Sequence, residues 1–277
     1  MTAAPQPPNR PGLLRLGLSW TRVELRLFWR IPTQVFFTFA LPVLFLVIFG
    51  AVFSGDIEAG PGRSVSFVQY FLPGIIAAGV MSTTFTNLAS SIAVQQHTGL
   101  LKRLGGTPFP RGAFFIGKVL MAVIVTVAQT ALMLVIAVLA YGAELPADAG
   151  RWLAFFVVLL VGAATGAALG IAYTRVIPNA NSAPAIIQPP FLVLQFISGV
   201  FFRHSELPSW LQAVAAVFPL RWMSQGFRYA FLPDGFGKFE YGSTWGWQWP
   251  LGILAIWLVV AALLASWLFR WDRSSGE

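Results

Sequence analysis

Long apolar runs separated by short polar segments dominate the chain. A membrane-spanning helix needs roughly 20 apolar residues, and helices satisfy their own backbone hydrogen bonds in lipid. The runs of that length cover 32–53, 68–92, 113–141, 151–174, 182–202 and 248–270. We therefore predict an all-α integral membrane fold with six transmembrane helices, forming one transmembrane domain over residues 31–277.

The segment before the first run has a different, amphipathic pattern. Residues 13–30 place basic side chains three or four positions apart, and tryptophans lie close by. The basic face carries Arg15, Arg22, Arg26 and Arg30, and the apolar face carries Leu14, Leu18, Leu25 and Phe28. Such a helix is typical of a membrane surface, although it can also pack on another protein. Residues 1–12 are polar and rich in proline, which predicts a disordered tail.

The segment 203–247, between the fifth and sixth spans, is long but largely apolar. It is interrupted at Pro219 and is rich in tryptophan, which favours membrane interfaces. We predict two short re-entrant helices here, with a compact external cap as the alternative. Prolines at 184, 189 and 190 also predict that the fifth span kinks or unwinds near Gln188.

Composition and charge agree with a membrane protein. Only 10% of the residues are charged, whereas soluble domains average about 25%. The net charge of +8 does not indicate nucleic acid, because cytoplasmic loops of membrane proteins collect Lys and Arg. Placing both termini in the cytoplasm puts 12 of the 18 basic residues and 3 of the 10 acidic residues on that side. This bias predicts that both termini are cytoplasmic. We expect a multi-pass protein of the plasma (inner) membrane.

Candidate catalytic chemistry is sparse. The chain has no cysteine, its two histidines are predicted on opposite sides of the membrane, and no Asp or Glu lies in a predicted span. We predict neither a metal site nor an enzyme, and a proton-coupled carrier is disfavoured because it needs an ionisable group at membrane depth. Residues Gly112 to Lys118 fit the start of a phosphate-binding loop, but Val119 replaces the Ser or Thr that binds magnesium. We expect Lys118 to reach the lipid headgroups instead.

Neutral polar residues inside the spans are the candidates for a substrate path. They are Asn87, Gln129, Gln188 and Gln195. Gln188 and Gln195 lie seven positions apart and so share one helix face. The alternative role for each is a hydrogen bond between helices. Gly162, Gly166 and Gly170 are spaced by four, which predicts a close-packing face within the chain or across a dimer.

The basic segment between the second and third spans is the most specific feature. Its sequence LLKRLGGTP, followed by Gly117-Lys118, resembles the cytoplasmic loop of ABC-2 type transporter permeases. Residues 198–228 also resemble the family, with Leu207-Pro208, Trp210, Phe218-Pro219 and Arg228 in place. The branch that includes daunorubicin-resistance permeases is the nearest. Gln96-His97 stands where the family usually carries Arg-Glu, so a charge contact with the ATPase is absent or replaced here.

The resemblance implies a permease subunit of an ABC exporter for amphipathic, drug-like or lipid-like substrates. It also implies a separate ATP-binding subunit, which holds ATP and Mg, and a second permease chain, identical or related. A coupling helix over 96–105 would contact that subunit. The residues that couple to it would be His97, Gly99, Leu100, Leu101, Lys102, Arg103, Leu104, Thr107 and Pro108. The alternatives are export of a lipid-linked polysaccharide, a secondary carrier without an ATPase, an assembly protein that transports nothing, and a plain basic loop at 95–118.

Overall fold

A computed structural model describes residues 12–53, 55–58, 64–240 and 245–269. Residues 1–11 of the predicted tail lie outside these ranges, as do Arg270 and Arg273. The α-helices are α1 Leu13–Trp29, α2 Pro32–Val52, α3 Phe67–Met81, α4 Asn87–His97, α5 Leu100–Gly105, α6 Arg111–Tyr141, α7 Ala149–Tyr173, α8 Ala183–Ile197, α9 Ser209–Val217, α10 Pro219–Phe231 and α11 Gln248–Leu268. A π-helical turn, Ser82–Thr86, joins α3 to α4, so these three segments form one long helix.

Five helices in the described part of the chain are long and apolar enough to cross a membrane. They are Pro32–Val52, Phe67–His97, Arg111–Tyr141, Ala149–Val176 and Gln248–Leu268. These match five of the predicted runs. The sixth run, 182–202, contains only α8, which has 15 residues. At 1.5 Å per residue α8 is roughly 22 Å long, shorter than the roughly 30 Å hydrocarbon core, so the six-span count is not confirmed.

The shape of α8 also differs from the sequence-based expectation. The prediction was that the helix kinks or unwinds near Gln188. The helix is continuous through Pro189 and Pro190, so it does not unwind there, and the kink stays a prediction. It ends at Ile197, and Gly199 then adopts a φ of 76°. This left-handed conformation favours glycine and turns the chain. The apolar run therefore loses its last residues to a turn instead of extending the helix.

The core of the bundle is built around the long helix 67–97. Every residue of α3 after Phe67 is buried, and α7 and α10 pack against it. The predicted break at Pro219 separates α9 from α10, as the sequence indicated. Helix α10 packs against α3, α7 and α11, so it belongs to the helical bundle, and its re-entry into the membrane stays a prediction.

A small hairpin joins α2 to α3 and was not predicted. Strands β1 Asp56–Glu58 and β2 Ser64–Ser66 are antiparallel, with Ile57 opposite Val65. Strands of three residues are too short to show an alternating pattern in the sequence.

Candidate functional site

A sharp turn between α4 and α5 shapes the basic segment. Helix α4 continues through His97, and Gly99 then adopts a φ of 72° before α5 starts at Leu100. The predicted coupling helix 96–105 is therefore shorter than expected, and His97 belongs to the preceding helix. A residue with a Cβ is strained at this φ, which explains the glycine.

The helix α5 ends within the double glycine, since Gly105 is its last residue and Gly106, Thr107 and Pro108 follow. The Thr107 hydroxyl donates a hydrogen bond to the Leu104 carbonyl (2.7 Å), and the Thr107 N–H donates to the same oxygen (3.0 Å). Pro108 follows and cannot continue the helix. The result is a six-residue helix between two tight turns, with Lys102 and Arg103 exposed on it.

Leu101 holds α5 against the bundle. Its side chain is completely buried in a cluster with Leu88, Ile92, Phe114 and Ile171. The sequence-based expectation that Leu101 contacts a partner protein does not fit this position, because no part of it is accessible. Leu100 and Leu104 are only partly buried. The surface that α5 and the turn after it present therefore consists mainly of the exposed residues Lys102, Arg103, Gly105, Gly106, Thr107 and Pro108.

Helix α1 packs through one face against α6, close to the segment that follows α5. Its buried stripe packs on α6 and consists of Gly17, Thr21, Glu24 and Phe28. The ring of Trp20 lies 5.2 Å from that of Phe109 and 6.1 Å from that of Phe114, measured between centroids. The predicted basic face is exposed along its length, at Arg15, Arg22, Arg26 and Arg30. Leu14 and Leu18 are exposed as well, so the helix has an apolar surface left over beside its packing face.

A buried ion pair lies at the contact between α1 and α6. The Lys118 ammonium donates to the Glu24 carboxylate (2.8 Å) and to the Ser91 hydroxyl (3.1 Å), and both charged side chains are at most 2% exposed. Gln95 donates a further hydrogen bond to Glu24. The expectation that Lys118 reaches lipid headgroups is therefore wrong. Residues from Arg111 onward are helical, so the phosphate-loop resemblance is also accidental.

This pair was missed because Glu24 was assigned no role in the sequence. A signal was nevertheless present, since Glu24 is the only acidic residue in the basic helix α1. It also lies at helical spacing from Gly17, Thr21 and Phe28, which together form the buried stripe.

The polar residues of the spans have different environments. The Thr83 hydroxyl donates to Gln129 Oε1 (2.6 Å), and both residues are buried, which fits the interhelical alternative for Gln129. Asn87 is partly buried and donates to Thr38. Gln188 is exposed, whereas Gln195 is half-buried beside a cavity of about 50 Å³. That cavity is also lined by Thr38, the partner of Asn87, and by Gly79, which lies against Gln129. Three of the four predicted residues therefore border one region of the bundle, whereas Gln188 does not line the cavity.

The glycine face of α7 packs inside the chain. A Cβ on Gly162 would lie 2.9 Å from the Met223 side chain, and one on Gly170 would lie 2.8 Å from the Phe85 carbonyl oxygen. A Cβ on Gly166 would lie closer still to the Thr84 side chain. The small residues let α7 approach α10 and the π-helical turn, so this face is already covered within the chain.

A second buried ionic cluster lies at the opposite end of the bundle. Glu240 accepts hydrogen bonds from Arg221 (2.6 Å) and Arg228 (3.2 Å), and Arg228 also donates to the Tyr70 hydroxyl (2.8 Å). Burial raises the pKa of Glu240, but the two guanidiniums outweigh it and hold the pKa below its usual value. Burial, together with the Arg221 charge, lowers the pKa of His204 to about 3. The cluster links α10 to α3 through Tyr70, and to the segment after α10 through Glu240.

Comparison with known proteins identifies relatives over most of the chain. Residues 18–232 match the family described as ABC-2 type transporter. The inner membrane transport permease YadH of Escherichia coli is 25% identical over 224 residues, covering 77% of this chain and 81% of YadH. The daunorubicin resistance ABC transporter permease protein DrrB1 of Streptomyces coeruleorubidus is 25% identical over 226 residues, covering 79% and 75% of the two chains.

Proposed function

The chain belongs to the ABC-2 type transporter family, and on that premise we propose that it exports amphipathic, drug-like or lipid-like molecules. ATP hydrolysis would take place in a separate ATP-binding subunit that carries ATP and Mg. The observation that carries the proposal is the family match over residues 18–232, which includes the whole basic segment around α5. A relative whose name refers to daunorubicin resistance supports the drug-like substrate class.

The position of α5 supports a coupling role. This helix presents Lys102 and Arg103 outward, while Leu101 fixes it to the bundle. A partner that moves α5 would therefore also move α4, which precedes it, and the cluster around Leu101. Trp20, which packs against Phe109 and Phe114, extends that connection to α1.

The proposed orientation places both termini, α5 and α1 on the cytoplasmic side of the inner membrane. It follows from the excess of basic residues in the corresponding segments. Arg15, Arg22, Arg26 and Arg30 would then face the anionic headgroups, and Leu14 and Leu18 would enter the lipid surface. A second permease chain would complete the substrate path, with the exposed Gln188 and the half-buried Gln195 facing it.

Purification from native membranes tests the coupling role. We expect the chain purified alone to bind no ATP, and the chain purified with its partner to retain an ATP-binding subunit whose hydrolysis responds to substrate. The double substitution Lys102→Glu and Arg103→Glu should release that subunit without changing the melting temperature, because both side chains are exposed.

The matched control applies the same change of charge to exposed positions of α1, as Arg15→Glu with Arg22→Glu. This variant should keep the ATP-binding subunit. Equal retention of the subunit by both variants, or saturable ATP binding by the isolated chain, would contradict the proposal.

A further inference from the structure

The passage from α1 into α2 borders a cleft of about 480 Å³, which is also lined by α4 and by Leu100 of α5. The apolar span Pro32–Val52 begins at this point, and the exposed Trp29 precedes it. Tryptophan next to the start of a span is typical of the level at which a membrane helix meets the lipid headgroups. We therefore place the cleft at headgroup depth, where phospholipids can reach it.

Arg30 supplies the net charge of the cleft. Glu24 also lines it, but its carboxylate is paired with the Lys118 ammonium at 2.8 Å, so these two charges offset each other. The Arg30 side chain is exposed and forms no hydrogen bond or ion pair with another residue that the structure describes. The described wall of the cleft therefore carries one uncompensated positive charge, which favours an anion.

Gln34 and Ser90 add accessible hydrogen-bond donors to the charge of Arg30. Gln34 lies near the start of α2, and Ser90 lies on α4. Both residues are half-buried, their polar atoms are not sealed inside the protein, and neither side chain bonds to another described residue. The oxygens of a phosphodiester only accept hydrogen bonds, so an amide NH₂, a hydroxyl and a guanidinium form a suitable set of donors for it.

Exposed apolar side chains on the same wall distinguish a lipid from a free phosphate ion. Leu27, Ile31 and Val94 line the cleft and are 38%, 51% and 48% exposed. A phosphate ion leaves this surface uncovered, whereas the first part of an acyl chain covers it. Phosphatidylcholine carries its own ammonium beside the phosphate, which offsets part of the attraction to Arg30. A lipid with a net negative charge matches the cleft better.

We propose that this cleft binds one anionic phospholipid. Its phosphate contacts Arg30, Gln34 and Ser90, and the first part of an acyl chain covers the exposed apolar side chains of the wall. Because Leu100 lines the same cleft, the bound lipid also lies beside α5, the proposed coupling helix. The inference rests on the proposed function only for the side of the membrane on which the lipid lies.

Quenching of a fluorophore inside the cleft tests this site without ATP or a partner. The chain has no cysteine, so Leu27→Cys provides a single position for a small bimane label. The labelled protein is placed in phosphatidylcholine nanodiscs that contain increasing fractions of phosphatidylglycerol or phosphatidylcholine with a spin-labelled acyl chain. We expect phosphatidylglycerol to reach half-maximal quenching at an about fivefold lower fraction, which is the ratio that one cation near an anionic headgroup supplies.

Two variants of the labelled protein separate the charge from the hydrogen bonds. Arg30→Gln should reduce the preference for phosphatidylglycerol to less than about twofold. Arg15→Gln, the same change at an exposed arginine of α1 that does not line the cleft, should preserve it. Gln34→Leu with Ser90→Ala should weaken the interaction of both lipids about twofold or more, because both lipids carry the phosphate.

A second label position controls for general contact with lipid. Leu139 lies on α6, is 81% exposed and does not line the cleft, so a bimane at Leu139→Cys should be quenched equally by the two lipids.

Equal quenching by the two lipids at position 27 would overturn the proposal. So would a preference that survives Arg30→Gln, one that Arg15→Gln removes to the same extent, or the same preference at Leu139→Cys. Unchanged quenching in Gln34→Leu with Ser90→Ala, or release of the lipid by inorganic phosphate, would overturn it as well. The assay contains no ATPase and no transported substrate. Failure of transport with this quenching pattern intact would therefore contradict the proposed function and leave the site standing.

Discussion

Breaking the buried ion pair between Glu24 and Lys118 should destabilise the protein strongly. Lys118→Met keeps an apolar stem of similar length but removes the ammonium, and among the residues that the structure describes Gln95 then remains as a hydrogen-bond donor to the Glu24 carboxylate. Both side chains are at most 2% exposed, so water cannot replace the lost contact. Removing one member of such a pair typically costs about 3 to 5 kcal/mol.

Coulomb's law gives a similar magnitude. Unit charges about 4 Å apart attract by about 4 kcal/mol at an effective dielectric constant of about 20. Replacing both partners by apolar residues avoids leaving a buried charge, and such replacements are often neutral. The double variant Glu24→Leu with Lys118→Met should therefore be more stable than Lys118→Met alone, with a coupling energy of at least about 2 kcal/mol.

The assay is unfolding of the purified protein in mixed micelles, with increasing dodecyl sulfate, followed by tryptophan fluorescence. The chain has 11 tryptophans, and Trp20 packs at the contact between α1 and α6. The two single variants for comparison are Glu24→Leu and Lys118→Met. If each lowers the free energy of unfolding by less than about 1 kcal/mol, and the two losses add in the double variant, this account of the pair is refuted.

Three further predictions follow from the structure. Leu101→Ala should lower the free energy of unfolding by about 2 to 5 kcal/mol, because it opens a cavity in a buried cluster. The double variant Lys102→Ala with Arg103→Ala should change the free energy of unfolding by less than about 0.5 kcal/mol. It should weaken retention of the ATPase most at low salt, where charges are less screened. Gln188→Leu should leave the melting temperature unchanged, because the Gln188 side chain is exposed. A large fall in the melting temperature would instead indicate that Gln188 makes a structural contact. Buried His204 stays neutral in the folded protein but gains a proton in the unfolded chain, so it lowers stability increasingly as pH falls from about 6.5 toward about 3. The variant His204→Gln should therefore lose less stability than the original protein between pH 7.5 and 5. Identical slopes of stability against pH in the two proteins would contradict the neutral state of His204.

Periodicity predicted the helices well because it depends on local sequence. Five apolar runs became helices long enough to span a membrane, and the break at Pro219 appeared where the sequence indicated. The helix α8 is shorter than the apolar run 182–202 for a local reason that hydropathy does not report, since Gly199 turns the chain while the residues remain apolar. The prolines at 189 and 190 do not unwind α8, because the helix continues through both of them.

The buried ionic contacts could not be read from the sequence. Glu24 meets Lys118 across 94 positions, and Arg228 meets Tyr70 across 158. Such pairings depend on how distant helices pack, whereas sequence spacing reports only contacts within one helix. Leu101 shows the same limit, because an amphipathic segment does not reveal whether its apolar side faces a partner or its own bundle.

Transport by inside-out membrane vesicles tests the central claim most directly. The vesicles would contain the chain and its ATP-binding partner, and uptake of daunorubicin would be followed by its fluorescence. The account predicts uptake that requires hydrolysable ATP, continues when a protonophore removes the proton gradient, and is lost in the variant Lys102→Glu with Arg103→Glu. Uptake that needs no ATP and stops on addition of the protonophore would contradict it.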